Sequence, residues 1–451
     1  MNCLFYAALK MNTSLNIPIT TEIEKSFKTA RLSTIDLYFL LWAPFMLIQS
    51  VVVLPVKGTT LGYMLALLSP MVVLLFSDKK NRNRYIKLFI VCLFFYGVIT
   101  LLSQFGNVIF GVTFGDIRLV DFTDERLYFR RTLFTQSLYL LAGFLTFLFI
   151  KNFYKTGWDN YLLTGAVLLA FYGLYEILYF QIFGGRGDFL SNRMVGTGDL
   201  ARLDGLFQTM NIGGITIMRL KSLTGEPSMY SFSILPFWIY ALYMERFKIA
   251  YLLFTTLLLT TSTTALLGIM LYFILVPVFS QITKRWMLYG VFFLVGFIIA
   301  VTFAFDEITQ AVYKTQIVDK LSLQNMSGAG RFQAVVDHLA YYAQLNLWSQ
   351  LVGQGFGTIR SMDLLSTLLV NTGIIGFSIF TIAFFYPVLR LKNTQRNNGI
   401  KTSLIVIYVT AMISVSEFAY LSVWIFLGLA YHQLDSERQQ HRFNYPNGIR
   451  A

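Results

Sequence analysis

The sequence predicts an all-α polytopic membrane protein with about 12 transmembrane helices, and three observations carry that prediction. The chain of 451 residues is 56% hydrophobic and only 13% charged, where soluble domains carry roughly 25% charge. Apolar runs of 18 or more residues recur from Asp36 to Tyr431, each long enough to cross a bilayer core of about 30 Å. The basic residues, finally, fall mainly on alternate inter-helix segments, as they do when a leaflet sorts them.

The expected crossings lie near residues 36–56, 58–77, 87–110, 133–150, 160–182, 228–244, 249–261, 264–281, 286–304, 364–389, 402–417 and 419–431. With a cytoplasmic N-terminal tail (1–33) and C-terminal tail (432–451), the inner segments hold 22 of the 36 Lys and Arg against 8 acids. The outer segments hold 14 against 13, so the net charge of +13 is an inside-positive signal. It implies contact with anionic membrane lipids rather than nucleic acid. The first 30 residues are polar and mixed, so no cleavable signal is expected. Cys3 and Cys92 form no plausible pair and match no metal spacing. The whole chain, 1–451, reads as a single integral-membrane domain.

Length accumulates on the outer side, in loops 111–132, 183–227 and 305–363, while inner loops have a dozen residues or fewer. Function is therefore expected outside the cytoplasm, on long loops over a helical base. The short segment 249–261, separated from the next only by Thr261–Ser262–Thr263, is a candidate half-spanning or kinked helix.

Three clusters on these loops carry chemistry. The first is Arg219-Leu-Lys-Ser-Leu-Thr-Gly-Glu226-Pro227-Ser228. Pro227 suits a first helical turn, which makes Glu226 the N-cap and Ser228 a first-turn residue. The exposed N–H groups there would receive an anion, with Arg219 free to fold over it. Equally, Glu226 caps, and Arg219 and Lys221 anchor at the interface. The second cluster, residues 326–345, shows helical spacing of Phe332, Val335, Val336, Leu339 and Ala343. It predicts an amphipathic helix lying on the membrane, with Arg331 at its start behind a flexible Gly-Ala-Gly. A cation there opposes the helix dipole, a conflict that an anionic ligand removes; a solvated loop arginine is the alternative. The third cluster has Gly353, Gly355 and Gly357, then Arg360 and Asp363 at the start of the next crossing, with Gly373 and Gly376 inside it. No strand precedes these glycines, which argues against a nucleotide loop. Asp363 is placed to cap, and the inner glycines to pack closely against another helix. Glu176 lies within a membrane segment and Glu417 in the turn between the last two crossings. No metal-ligand spacing and no nucleophilic triad is found, and neither metal nor cofactor is expected.

In order and in loop placement, these clusters resemble the bacterial polysaccharide polymerase and O-antigen ligase superfamily, the Wzy and WaaL proteins. The similarity runs through Arg219, Glu226 and Pro227, then Gly330–Arg331, then Gly353, Gly355, Gly357, Asp363, Gly373 and Gly376. It spans roughly residues 200–380. Where the ligases show a His-Asn-like pair, this chain has Met362 and Asp363, which favours a polymerase. Thr260–Gly268 likewise departs from a Ser-Arg common in relatives.

The resemblance implies a GT-C-like glycosyltransferase in the bacterial cytoplasmic (inner) membrane. Its donor would be a growing glycan on a polyprenyl diphosphate and its acceptor a lipid-linked oligosaccharide repeat unit, with a separate chain-length regulator as partner. It implies a metal-independent reaction in which Arg219 and Arg331 hold the leaving diphosphate. Asp363, or failing it Glu226, would act as base, and Arg360 would steer the acceptor. Lys221, Ser228 and Gly355 would border the substrate. Tyr341, Tyr342 and Trp348 would stack on sugars, or else anchor at the interface. The alternatives are a ligase, differing only in acceptor, and more distantly a lipid-linked oligosaccharide flippase or other transporter.

Overall fold

A computed structural model describes residues 32–54, 58–115, 117–193, 208–212, 215–279 and 326–444. Among the described residues there are 13 α-helices and one two-stranded hairpin. The helices are α1 (Thr34–Trp42), α2 (Leu61–Phe76), α3 (Lys79–Phe110), α4 (Arg131–Phe153), α5 (Asp159–Phe183), α6 (Pro227–Tyr243), α7 (Phe247–Leu259), α8 (Thr263–Phe279), α9 (Met326–Gln344), α10 (Leu347–Val352), α11 (Leu364–Arg390), α12 (Gln395–Ser414) and α13 (Leu421–Asn444). Strands β1 (Thr209–Ile212) and β2 (Ile215–Met218) pair antiparallel, with Thr209 opposite Met218.

Four stretches are long and apolar enough to cross a membrane: Lys79–Phe110, Arg131–Phe153, Thr156–Phe183 and Leu364–Arg390. Shorter apolar helices stand beside them. Helices occupy ten of the twelve expected segments, and the segment 286–304 lies outside the described residues. The segment at 36–56 departs from expectation. Its helix ends at Trp42, passes through a 3₁₀ turn at Ala43–Phe45 containing Pro44, and gives way to irregular chain. The freed N–H groups of Gln49 and Ser50 donate instead to the Leu223 carbonyl, at 2.8 and 3.0 Å. Proline removes a ladder donor, and a partner strand of loop satisfies the rest.

The ends of the helices follow local chemistry. Ser33 and Asp36 form a reciprocal capping box on α1. Thr60, Asp78 and Thr394 cap α2, α3 and α12 through their side chains, and α5 ends at Gly184 in the left-handed region. The core sits around α6, which packs against α7, α8 and α12, and around α13, which packs against α4. Ile234, Phe237, Ile239, Ile425 and Phe426 are buried almost completely, as in a helix that is apolar on all sides.

The amphipathic helix is present but starts earlier than expected. Gly328, Ala329 and Gly330 are helical, so they form no flexible hinge before Arg331. His338, expected only to decorate that helix, is buried and reaches the Arg118 carbonyl at 3.3 Å, tying α9 to the α3–α4 loop. Helix α11 is broken at Gly373, whose φ is 63°. A Cβ there would lie 2.3 Å from the Leu351 carbonyl, so only glycine fits the break. Gly373 thus both breaks α11 and lets it approach the α10 backbone closely, as the sequence predicts, whereas a Cβ on Gly376 would meet chiefly Thr372 of its own helix.

Candidate functional site

Loops that join α1–α2, α3–α4, α5–α6, α10–α11 and α12–α13 all emerge at one end of the bundle. There they surround a cavity of about 860 Å³. Helices α4 and α13 start beside the cavity-lining Arg131 and Tyr420 and pair at their far ends through Lys151 and Asp435. Asp36 is bound there to Lys155, so the cavity end is the one opposite residues 32 and 444. The lining carries Arg118, Arg131, Arg193, Lys221 and Arg360 against Asp121, Glu226 and Glu417, with Tyr63, Tyr139 and Tyr420 among the aromatic groups.

The loop from Arg219 to Glu226 forms one wall. Lys221 is buried and holds it down: its Nζ donates to Glu176 of α5 at 3.0 Å and also to Asp188. Burial pushes the Asp188 carboxyl up, but hydrogen bonds from Lys221 and Ser191 outweigh it and leave the group below its ordinary value. Lys221 borders the cavity, yet its charge is already matched by two carboxylates. Ser222 takes a φ of +52°, strained for a side chain with a Cβ, and its hydroxyl donates to the Leu169 carbonyl at 2.7 Å. This anchoring presents Glu226 to the cavity. Glu226 is the N-cap of α6, with Pro227 following, as the sequence predicts. Its carboxylate makes no capping bond to the backbone and instead accepts from Ser228 Oγ at 3.1 Å. That leaves it available to chemistry.

Arg360 forms the opposing charge. Its guanidinium pairs with Glu417, which the turn between α12 and α13 brings across the cavity. The Arg360 side chain is 46% exposed, open to the cavity. A guanidinium stays protonated. Arg193 enters from the α5–α6 loop, with its Nη1 on the Gln49 carbonyl at 3.2 Å. Tyr420 is 2% exposed, and among the described residues its hydroxyl has no hydrogen-bond partner. A buried hydroxyl without a partner is costly unless a ligand or water supplies one.

A rigid glycine turn positions Arg360. Gly355 has a φ of +114°, and a Cβ on it would lie 2.5 Å from Gln104 Nε2. Gly353 and Gly357 share the left-handed conformation. Because α11 is broken, the Val370 and Asn371 carbonyls accept from the N–H groups of Gln354 and Gly355, at 2.8 and 3.0 Å. The Asn371 side chain clamps both backbone groups of Ile359 at 2.9 Å. The glycines thus build the turn that aims Arg360. Gly355 itself is not among the described residues that line the cavity.

Several expected site residues are occupied elsewhere. Arg219 holds the turn between α7 and α8, with its Nε on Thr261 Oγ1 at 2.8 Å and its Nη2 on the Thr261 carbonyl at 3.1 Å; it also bonds Gln208. Asp363 is 3% exposed and caps α11, accepting from the Ser366 N–H at 2.7 Å and from Ser361 Oγ at 3.1 Å. Tyr342 donates to the Gln350 carbonyl at 2.8 Å, joining α9 to α10. Tyr341 is half-buried away from the cavity, and Trp348 lies over Gly106 of α3 with its Nε1 on the Leu102 carbonyl at 3.1 Å. None of these is among the described residues lining the cavity. Arg331 lies in α9, and its side chain falls outside the described residues.

The structure therefore joins Glu226, Ser228, Lys221 and Arg360 in one cavity and adds Arg118, Arg131, Arg193, Glu417 and Tyr420. The arginine pair at 130–131, opening a crossing with no cap of its own, was the available sequence signal for one of them. Compared with protein-family models, curated proteins and solved structures, the chain matches none.

Proposed function

We propose that the chain is an integral-membrane glycosyltransferase of the polysaccharide-polymerase kind, with about twelve crossings, a GT-C-like plan and cytoplasmic termini. It would transfer a growing glycan from a polyprenyl diphosphate to a lipid-linked repeat unit at the outer face of a bacterial cytoplasmic membrane. The observation that carries this reading is the cavity in which Arg193 and Arg360 stand with Glu226 at the helix ends. The inside-positive charge pattern assigns that end to the outer side, and the motif order supplies the reaction class.

In this reading the acceptor hydroxyl attacks the donor's anomeric carbon, the C–O bond to the diphosphate breaks, and the diphosphate leaves. Charge gathers on the leaving group, so fixed cations stabilise the transition state. Arg360 and Arg193 replace Arg219 in that duty, because the Arg219 guanidinium is spent on Thr260, Thr261 and Gln208. Glu417 holds Arg360 until a phosphate competes for its fork. Glu226 replaces Asp363 as the base: it faces the cavity, whereas Asp363 is engaged as a cap.

The test is elongation of lipid-linked glycan in a deletion strain complemented with variants. Glu226→Gln should lower the rate by at least about 100-fold, and Arg360→Lys by more than about tenfold, because a point charge loses the two-pronged contact. Normal chain lengths in both would overturn the assignment. Unattached long chains in the deletion strain would point to a ligase.

A further inference from the structure

The cavity has a second basic layer that the proposed reaction does not use. Arg131 opens α4, eight residues before Tyr139, which lies at the level of Arg193 and Arg360. Eight residues of α-helix rise about 12 Å. Arg131 therefore stands toward the outer mouth of the cavity, and Arg118, on the loop that leads into α4, lines the same cavity. Both are exposed, and among the described residues neither side chain has an ion-pair or hydrogen-bond partner.

The other charges of this loop are engaged with protein groups, except the exposed Glu125 among the described residues. Asp124 accepts from the Arg131 N–H at 2.6 Å and from Arg126 Nε at 2.9 Å. Arg130 lies over the Phe114 ring and bonds the Arg126 and Asp121 carbonyls. The Asp121 carboxylate takes both the N–H and the hydroxyl of Thr123. Two further features point to a ligand. Thr132 borders the cavity, is 5% exposed, and its Oγ1 lacks a partner among the described residues. Phe122, also at the mouth, is 67% exposed. An aromatic ring in the open suits the apolar face of a sugar, and arginines suit an anionic group held in a plane.

We propose that Arg118 and Arg131, with Phe122 and Thr132, form an outer subsite for an anionic substituent, carboxylate or phosphate, on the glycan. The substrate is then an acidic oligosaccharide, recognised at a sugar outside the reacting one. This rests on the glycosyltransferase reading for the identity of the ligand, but its test does not need catalysis.

Full-length protein in nanodiscs is titrated with a glucuronate-containing disaccharide, with its carboxyl-reduced neutral form, and with glucose 6-phosphate. The wild type should bind at least one acidic probe about tenfold or more tightly than the neutral one, since charge-assisted hydrogen bonds are worth at least that. Arg118→Gln with Arg131→Gln should erase the difference while leaving the neutral affinity and the thermal midpoint unchanged. A preference for one acidic probe alone assigns the carboxylate or the phosphate. Equal affinities in the wild type, or a preference that survives the double substitution, would overturn the subsite. Acid preference without any elongation by the wild type would keep the subsite and refute the transferase reading.

Discussion

The two ends of the helical bundle differ in how completely their polar groups are matched. At the end near residues 32 and 444, carboxylates are surrounded by donors. Asp159 receives Tyr154, Tyr240 at 2.9 Å and Arg396 at 3.0 Å. Asp435 receives Arg84 and Lys151, and Asp36 receives Lys155 at 2.7 Å and Trp158 at 2.9 Å. At the cavity end, Arg118, Arg131 and the Tyr420 hydroxyl lack partners among the described residues, and Glu226 has only a serine. The difference teaches which charges hold the fold. A buried charge that fastens the fold is matched in place, as Lys221 is even at the cavity end, whereas Arg118, Arg131, Tyr420 and Glu226, short of partners, all line the cavity.

Substitutions separate the two ends. The largest effects belong to the cavity, where the loss of elongation from Glu226→Gln and Arg360→Lys should come with an unchanged melting midpoint. At the closed end the pattern should invert. Asp159→Asn leaves Arg396 without its carboxylate and should cost about 3 kcal/mol or more of stability, read as a lower thermal midpoint in detergent. Activity per folded molecule should be retained. Gly355→Ala, on the turn that aims Arg360, should cost about 1–3 kcal/mol and lower activity further than stability alone accounts for, since the turn shifts the guanidinium.

The smallest effect is a pH dependence at the cavity mouth. Burial pushes the Asp124 carboxyl up, but hydrogen bonds from the Arg131 and Arg126 backbones and the Arg126 side chain outweigh it and hold the group at about 2. Its unfolded value is about 3.9. The group's contribution is therefore fully present above the unfolded value and is lost as pH falls through about 2. Asp124→Asn should flatten the acid limb of a stability–pH curve between about pH 4 and pH 2 and leave pH 7 activity in place; an unchanged limb would exclude this carboxylate as its source.

The sequence made the helices legible where apolar runs met local caps. Pro227 at the start of α6 marks a real boundary, whereas α3 and α12 begin at their caps Asp78 and Thr394, well before the starts expected at 87 and 402. The break after Trp42 was hidden, because the apolar run continues while its backbone is satisfied by Leu223, far along the chain. The same limit governs the site. Glu226 and Arg360 were visible through proline and glycine signals nearby. Arg219 looked equivalent by its distance from Glu226, but its partners Thr260 and Thr261 lie some forty residues away. Asp363 was readable as a cap from the serine three residues on. Glu417 occupies a turn that looks inert until α12 and α13 carry it to Arg360.

The most direct test of the central claim is transfer by purified protein. Wild type reconstituted in nanodiscs and given polyprenyl-diphosphate-linked repeat units should form glycans of several repeats, while Glu226→Gln and Arg360→Lys, folded equally well, should leave mostly single units. Absence of longer glycan from the wild type with its native substrate, or equal elongation by both variants, would contradict it.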